Sequence, residues 1–225
     1  MKRLRVLLDV DSQVDFFEGG RRSGGESATV AHNIRRLFGW ADLQCVPVIS
    51  TILRVRPCEM VFMGGAPYCV EDTDGEHKLP GTLLSPFLNM GLRNTTDVPL
   101  RLFRQYRQVL FEKRVTDMFT HVAFERLVTS LRPATFIICG ADLERGVLQA
   151  ALGLRHRGSR VIVARDAVVT GGGPAGEMAW RRMEAKGVTF LSTQQIATAF
   201  GQEPAEHFHP QPIAVPAGPA VKMIG

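Results

Sequence analysis

Residues 135–147, TFIICGADLERGV, constrain the fold of this 225-residue chain more than any other stretch. Thr135 to Cys139 is a strand-length apolar run, and Gly140 ends it with a residue that turns sharply at no steric cost. Beyond the glycine the period changes. Leu143, Val147, Ala150, Ala151 and Leu154 fall on one face of a helix, and Asp142 is placed to cap its first turn. A buried strand that runs at once into a helix is half of a β-α-β crossover, the unit from which parallel sheets are built.

The same alternation recurs along the chain. Arg5 to Val10 reads as a first strand, Ala28 to Ala41 as a helix with Val30, Ile34, Leu37 and Ala41 on one face, and Val46 to Thr51 as a second strand. Val109 to Phe111 lies in the third strand, His121 to Leu131 in a helix, and Thr135 to Cys139 is the fourth strand. A fifth strand from Arg160 to Ala164, a helix from Glu177 to Ala185, a last strand from Val188 to Leu191 and a closing helix from Gln194 to Phe200 follow. This order predicts an α/β fold, a three-layer α/β/α sandwich around a mostly parallel, Rossmann-like sheet. Residues 52–105 interrupt it, rich in Pro, Gly and Asn and with little periodicity. So long an irregular stretch inside a compact domain is usually functional. Residues 1–201 are read as one domain of ordinary size. Residues 202–225 carry prolines at 204, 210, 212, 216 and 219, so they cannot form a regular helix and read as an extended tail, available to a neighbouring subunit.

Composition removes several classes of function. No apolar run reaches the roughly 18 residues of a membrane span. The start, MKRLRVLLDV, meets Asp9 and Asp11 too soon for a signal-peptide core and reads as the first strand of a cytoplasmic protein. The net charge of +5 could suit an anionic substrate or a nucleic acid. Its arginines are dispersed, however, at Arg21 and Arg22, Arg101 to Arg107, Arg155 to Arg160, and Arg181 and Arg182, with no aromatic-interleaved stripe. Neither a nucleic-acid nor a membrane partner is expected. Cys45, Cys58, Cys69 and Cys139 show no C-x-x-C spacing and read as reduced thiols. The run Gly171-Gly172-Gly173-Pro174 lacks the spacing of a dinucleotide loop and reads as a mobile turn after Asp166. No cofactor is expected.

Three segments carry a resemblance. Residues 6–17, VLLDVDSQVDFF, hold a D-x-Q-x-D-F pattern at Asp11, Gln13, Asp15 and Phe16. Residues 109–119, VLFEKRVTDMF, put Lys113 after a strand and Phe119 six residues on. The third is the strand–glycine–helix corner, followed by RVIVARDAVVT and a helix ending in WRRMEAKG. Together they resemble the isochorismatase-like (cysteine hydrolase) superfamily over roughly residues 4–200. In the amidases of that superfamily the corner carries a nucleophilic cysteine six residues after the glycine. Here that position is Gly146.

The resemblance implies a site at the carboxyl ends of the strands, with Asp11, Lys113 and Gly146 in the catalytic positions and Gln13, Phe16, Tyr68 and Arg145 around a small-molecule substrate. It also implies a homo-oligomer, a dimer or a tetramer. Read from the residues alone, Asp11 and Lys113 could equally be an ion pair at the rim of the sheet, and Gly146 a close-packing glycine. Isochorismatases, which cleave a vinyl ether, likewise have glycine in place of the cysteine, and their aspartate protonates the enol-ether carbon while water adds. The long loop leans elsewhere: PYCVEDTDGEHKLPGTLL resembles the loop of the nicotinamidase and carbamoyl-amide branch, and no tryptophan occurs in residues 52–105. That branch has a D-x-H and a further histidine as metal ligands. Here STILRVRP has no D-x-H and Tyr68 stands in the histidine's place, so no zinc or iron is expected. His207 and His209 read as solvated.

The alternatives are therefore a hydrolase with a Cys-less acid–base site, an inactive homologue that keeps the pocket for ligand binding or assembly, and an amidase with its nucleophile moved to Cys69. Arg54, Arg56 and Lys78 are candidate contacts for a substrate carboxylate. Asp9 replaces the apolar residue usual in the family. It is expected on the same face as Asp11 by strand alternation, paired with an arginine.

Overall fold

The computed structural model describes residues 4–17, 20, 26–62 and 67–201. The proline-rich segment 202–225, with His207 and His209, and the Arg21–Arg22 pair lie outside the described residues.

Seven parallel strands form one sheet: β1 (Leu4–Val10), β2 (Val48–Leu53), β3 (Phe87–Asn89), β4 (Gln108–Lys113), β5 (Ala134–Gly140), β6 (Arg160–Val168) and β7 (Thr189–Leu191). Their spatial order is β3-β4-β2-β1-β5-β6-β7, and every pairing is parallel. The central strands are apolar on both faces because helices cover both. All seven residues of β5 and all six of β2 are buried. On one side α3 (Val122–Ser130), α4 (Leu148–His156) and α5 (Gly173–Ala185) pack Phe124, Leu127, Ala151, Leu154 and Met183 onto Val6, Leu8, Phe136 and Val163. On the other, α1 (Ser27–Leu43) and α6 (Thr193–Phe200) pack Ile34, Leu37, Phe38 and Ile196 onto Leu7, Val48, Ile137 and Ile162. This is the three-layer α/β/α sandwich expected from the alternation.

The chain runs outward from β1 to β2 and on to the edge strand β3, returns to β4 between β3 and β2, and then crosses back to begin the other half at β5. The topological switch therefore lies between β1 and β5. At such a point the flanking loops diverge and leave a crevice beyond the carboxyl ends of the strands. The β1–β5 register ends at Val10 opposite Gly140, so Asp11 and the corner after Gly140 open onto that crevice.

Three segments differ from the sequence reading. Residues 52–105, expected to be irregular, contain the short edge strand β3 and the single-turn helix α2 (Leu102–Gln105). The glycine run is not a free turn: Pro174 sits in the first turn of α5, where its missing N–H is no loss, and Thr170 Oγ1 and Gly171 N donate to Glu144 Oε1 at 2.6 and 2.9 Å. Asp142 occupies the N-cap position of the turn after β5 but makes no capping hydrogen bond, because its carboxylate is taken by Arg145.

Candidate active site

Gly140 has φ of +119°, and a Cβ there would lie 1.9 Å from Val10 O, so only glycine fits. Ala141 N donates to that same Val10 oxygen at 2.7 Å, which ties the corner to the end of β1. A single π-helical turn, Leu143–Val147, then leads into α4. π-turns of this kind occur often at functional sites. This one brings Gly146 against β1: an added Cβ would meet Val10 Cγ1 and Ala141 O at 3.0 Å and Asp11 Oδ2 at 3.5 Å.

Asp11 leaves β1 with φ of +46°. Its backbone N donates to Thr51 Oγ1 at 3.1 Å, and Thr51 Oγ1 donates to Asp11 Oδ1 at 2.6 Å. Lys113, the last residue of β4, donates from Nζ to Asp11 Oδ2 at 2.7 Å and to Thr116 O at 3.1 Å. The two side chains are only 3% and 2% exposed. Asp11, Lys113 and Gly146 are thus brought together around one carboxylate oxygen. Thr51 belongs to the group and was not anticipated. The signal available was its place near the end of β2, one strand from Asp11.

The long loop closes over this group. Gln13 is fully buried: its Nε2 donates to Leu53 O and Glu76 O, both at 2.8 Å, and its Oε1 accepts from Leu53 N at 2.8 Å. These bonds all run to backbone, so Gln13 clamps β2 and the loop together. Asp15, in the same motif, accepts from Cys69 N at 2.7 Å and fixes the turn that carries Tyr68. Phe16 and Tyr68 meet edge to face at 5.2 Å, and the Arg145 guanidinium lies 5.2 Å from the centre of the Tyr68 ring. Burial lowers the pKa of Arg145, but its hydrogen bond to Asp142, that residue's charge and Tyr68 outweigh this, and the guanidinium ends above its ordinary value.

Asp9 corrects two expectations. It does not share a face with Asp11, because the positive φ of Asp11 swings the latter to the α3/α4 side of the sheet. Nor is its partner an arginine. Asp9 is fully buried, pairs with Lys78, and accepts from Ser50 Oγ at 2.7 Å and from Ser12 Oγ. Lys78 is consequently not a substrate contact on the pocket. Arg54 is likewise engaged, by Glu76 and by Glu112.

Cys69 is buried beside the site. Burial, followed by the charges of Asp11 and Asp15, pushes its thiol pKa well above the ordinary value, with Lys113 opposing. That is the reverse of what a nucleophilic cysteine needs. Cys139 is pushed the same way, first by burial and then by Asp9. Among the described residues no group of three or more His, Cys, Asp or Glu is arranged to hold a metal ion. Tyr68, at the histidine's position, turns its ring to Phe16 and Arg145, so these residues do not fit a nicotinamidase-type metal centre. The group is closed: Asp11, Lys113, Phe16, Tyr68 and Cys69 are all at most 5% exposed. A cavity of about 680 Å³ lies instead at the opposite, amino-terminal end of the strands and shares no residue with it. No helix among the described residues is long and apolar enough to cross a membrane.

The isochorismatase domain model matches residues 5–195. No curated protein matches the sequence. Solved structures share the fold at low identity. Pyrazinamidase of Pyrococcus horikoshii in complex with zinc is 19% identical, with a TM-score of 0.66 over 84% of this chain and 98% of that one. N-carbamoylsarcosine amidase from Thermoplasma acidophilum is 18% identical, with a TM-score of 0.65 over 86% and 98%. An isochorismatase family protein from Desulfovibrio vulgaris is 17% identical, with a TM-score of 0.67 over 89% and 100%.

Proposed function

The chain belongs to the isochorismatase domain family, and from that premise we propose that it is a hydrolase with a Cys-less site, acting on a small anionic substrate that contains a vinyl ether or a similarly acid-labile bond. The observation that carries this reading is the placement of Gly146. A Cβ at that position would lie 3.5 Å from Asp11 Oδ2, so the residue that adjoins the intact Asp11–Lys113 pair carries no nucleophile.

One proton serves the reaction. It rests on Lys113 in the ion pair, and the 2.7 Å contact lets it pass to Asp11 Oδ2. Asp11 delivers it to the enol-ether carbon, and an oxocarbenium ion forms. Water adds to the cationic carbon and returns its proton to Asp11, which passes it back to Lys113. The resulting hemiketal then breaks its original ether C–O bond, its hydroxyl proton passing to the departing oxygen by way of Asp11, to give a ketone and an alcohol. Thr51 holds the carboxylate in position, and Phe16, Tyr68 and Arg145 form the wall nearest the substrate, with Arg145 opposite its negative charge. Gln13 acts through the loop it clamps.

The test is hydrolysis of isochorismate by the purified protein beside its Asp11→Asn variant. General-acid chemistry predicts turnover that falls by about 10²–10⁴ in the variant. Equal turnover in both would sink the assignment of the acid.

The closure of the site favours a second reading, an inactive homologue that keeps the group for ligand binding or assembly. An acid buried to 2% by its own loop has no open path to substrate unless that loop moves. No turnover in either protein, together with a ligand-induced rise in melting temperature, would favour this second reading.

A further inference from the structure

The cavity at the amino-terminal end of the sheet has a lining of unusual charge. Its floor is apolar, made of Val46, Leu102, Phe103, Leu127 and Leu131, and Leu100, 89% exposed, stands at its lip. Four arginines also line it, Arg5, Arg101, Arg104 and Arg126, and no lining residue is acidic. Arg5 is engaged: its Nη1 donates to Phe200 O at 3.0 Å, and its guanidinium lies over the Phe200 ring. Arg101, Arg104 and Arg126 form no ion pair among the described residues. Of the neighbouring acids, Asp42 is held by Arg107, Glu125 by Arg157, and Asp97 does not reach the lining.

Three exposed arginines without an ion pair among the described residues thus stand around an apolar floor, which suits an occupant with one anionic end and one apolar body. A cavity of about 680 Å³ falls within the usual range for small-molecule sites, which are mostly apolar with a few polar groups that fix orientation. Arginine matches a carboxylate in particular, through paired N–H donors. We propose that this cavity is a binding site for a long-chain carboxylate, with the alkyl chain on Leu102, Phe103, Leu127 and Leu131 and the carboxylate held by Arg101, Arg104 and Arg126. The site is separate from the Asp11 group, and the proposal does not depend on catalysis there.

Decanoate titrated into the full chain below its micelle concentration, followed by calorimetry, tests this. Saturable binding of one decanoate per chain is expected. The doubly substituted Arg101→Gln/Arg126→Gln protein should bind at least tenfold more weakly, and decanol should bind at least tenfold more weakly than decanoate. Leu100→Asp, at an exposed position where folding is not at stake, should weaken binding by a similar factor. No saturable binding, unchanged affinity in the arginine variant, or equal affinity for decanol would each overturn the proposal. So would uptake of decanoate only when it is presented in lipid vesicles.

Discussion

Asp9 and Asp11 lie two residues apart in the chain and face opposite sides of the sheet, each closed by its own buried lysine, Lys78 and Lys113. Each pair is completed by hydroxyls: Ser12 and Ser50 on Asp9, Thr51 on Asp11. The two pairs also do different mechanical work. Lys113 joins β4 to β1, whereas Lys78 ties the long loop to the far face of β1.

Breaking a buried pair from one side leaves a charge with neither water nor a partner, at a cost of about 3–5 kcal/mol. Lys78→Met should therefore lose stability of that order in urea unfolding. Asp9→Val combined with Lys78→Met removes both charges, restores the apolar residue usual in the family at position 9, and should recover a large part of the loss. A double variant no more stable than Lys78→Met alone would show that the ion pair is not what the two residues supply.

The contrast between these two aspartates marks how far the sequence could be read. β5 and β1 were legible because an unbroken apolar run has no other stable place than the centre of a covered sheet. The corner after Gly140 was legible for a similar reason, since few residues other than glycine turn a buried strand so sharply. Asp11, Lys113 and Gly146 were singled out by the resemblance of their segments to the isochorismatase-like superfamily, not by composition or period. The face of Asp11 did not, because strand alternation assumes extended φ and Asp11 has φ of +46°. Lys78 was invisible as Asp9's partner because 69 positions, α1 and β2 among them, separate the two. The edge strand β3 and the single-turn α2 are too short to imprint a period on the sequence.

Gly146→Cys places a thiol where the resemblance would put the amidases' nucleophile. Its Cβ would press on Val10 Cγ1 and Ala141 O at 3.0 Å. Overpacking of that kind costs about 1–3 kcal/mol, offset in part by about 1 kcal/mol for removing a helical glycine. A net loss of stability is expected, smaller in a Val10→Ala background, with a coupling of about 0.5–3 kcal/mol between the two sites. The same loss in both backgrounds would mean that the backbone, not Val10, sets the limit on this position.

The four cysteines should separate by exposure. Cys58 is exposed, Cys45 is half-buried, and Cys69 and Cys139 are buried with their thiol pKa values pushed up. With iodoacetamide near neutral pH, mass spectrometry should find Cys58 alkylated first and Cys69 and Cys139 unmodified until the protein is denatured. Selective early labelling of Cys69 by iodoacetamide, or by a substrate-like electrophile, would revive the amidase with a relocated nucleophile.

Acid should weaken the rim of the site through Glu112. Burial alone would raise its pKa, but hydrogen bonds from Arg54 and Asn89 and the charge of Arg54 bring it below the ordinary value of 4.5. The folded protein therefore binds this proton less readily than the unfolded chain does. The stabilisation from Glu112 is complete above its unfolded pKa, begins to fade as pH falls towards that value, and is lost as pH falls through the lower folded pKa. Glu71, lowered mainly by its hydrogen bond to Arg114, acts in the same direction. Glu112→Gln should leave a shallower fall in stability on acidification from about pH 5 downward, with little difference in slope from pH 6 to pH 8, a range chosen for the titration. Denaturant midpoints across both ranges test the assignment. Parallel curves for the two proteins below about pH 5, the ordinary carboxylate range, would remove Glu112 from the acid response and leave Glu71 to carry it.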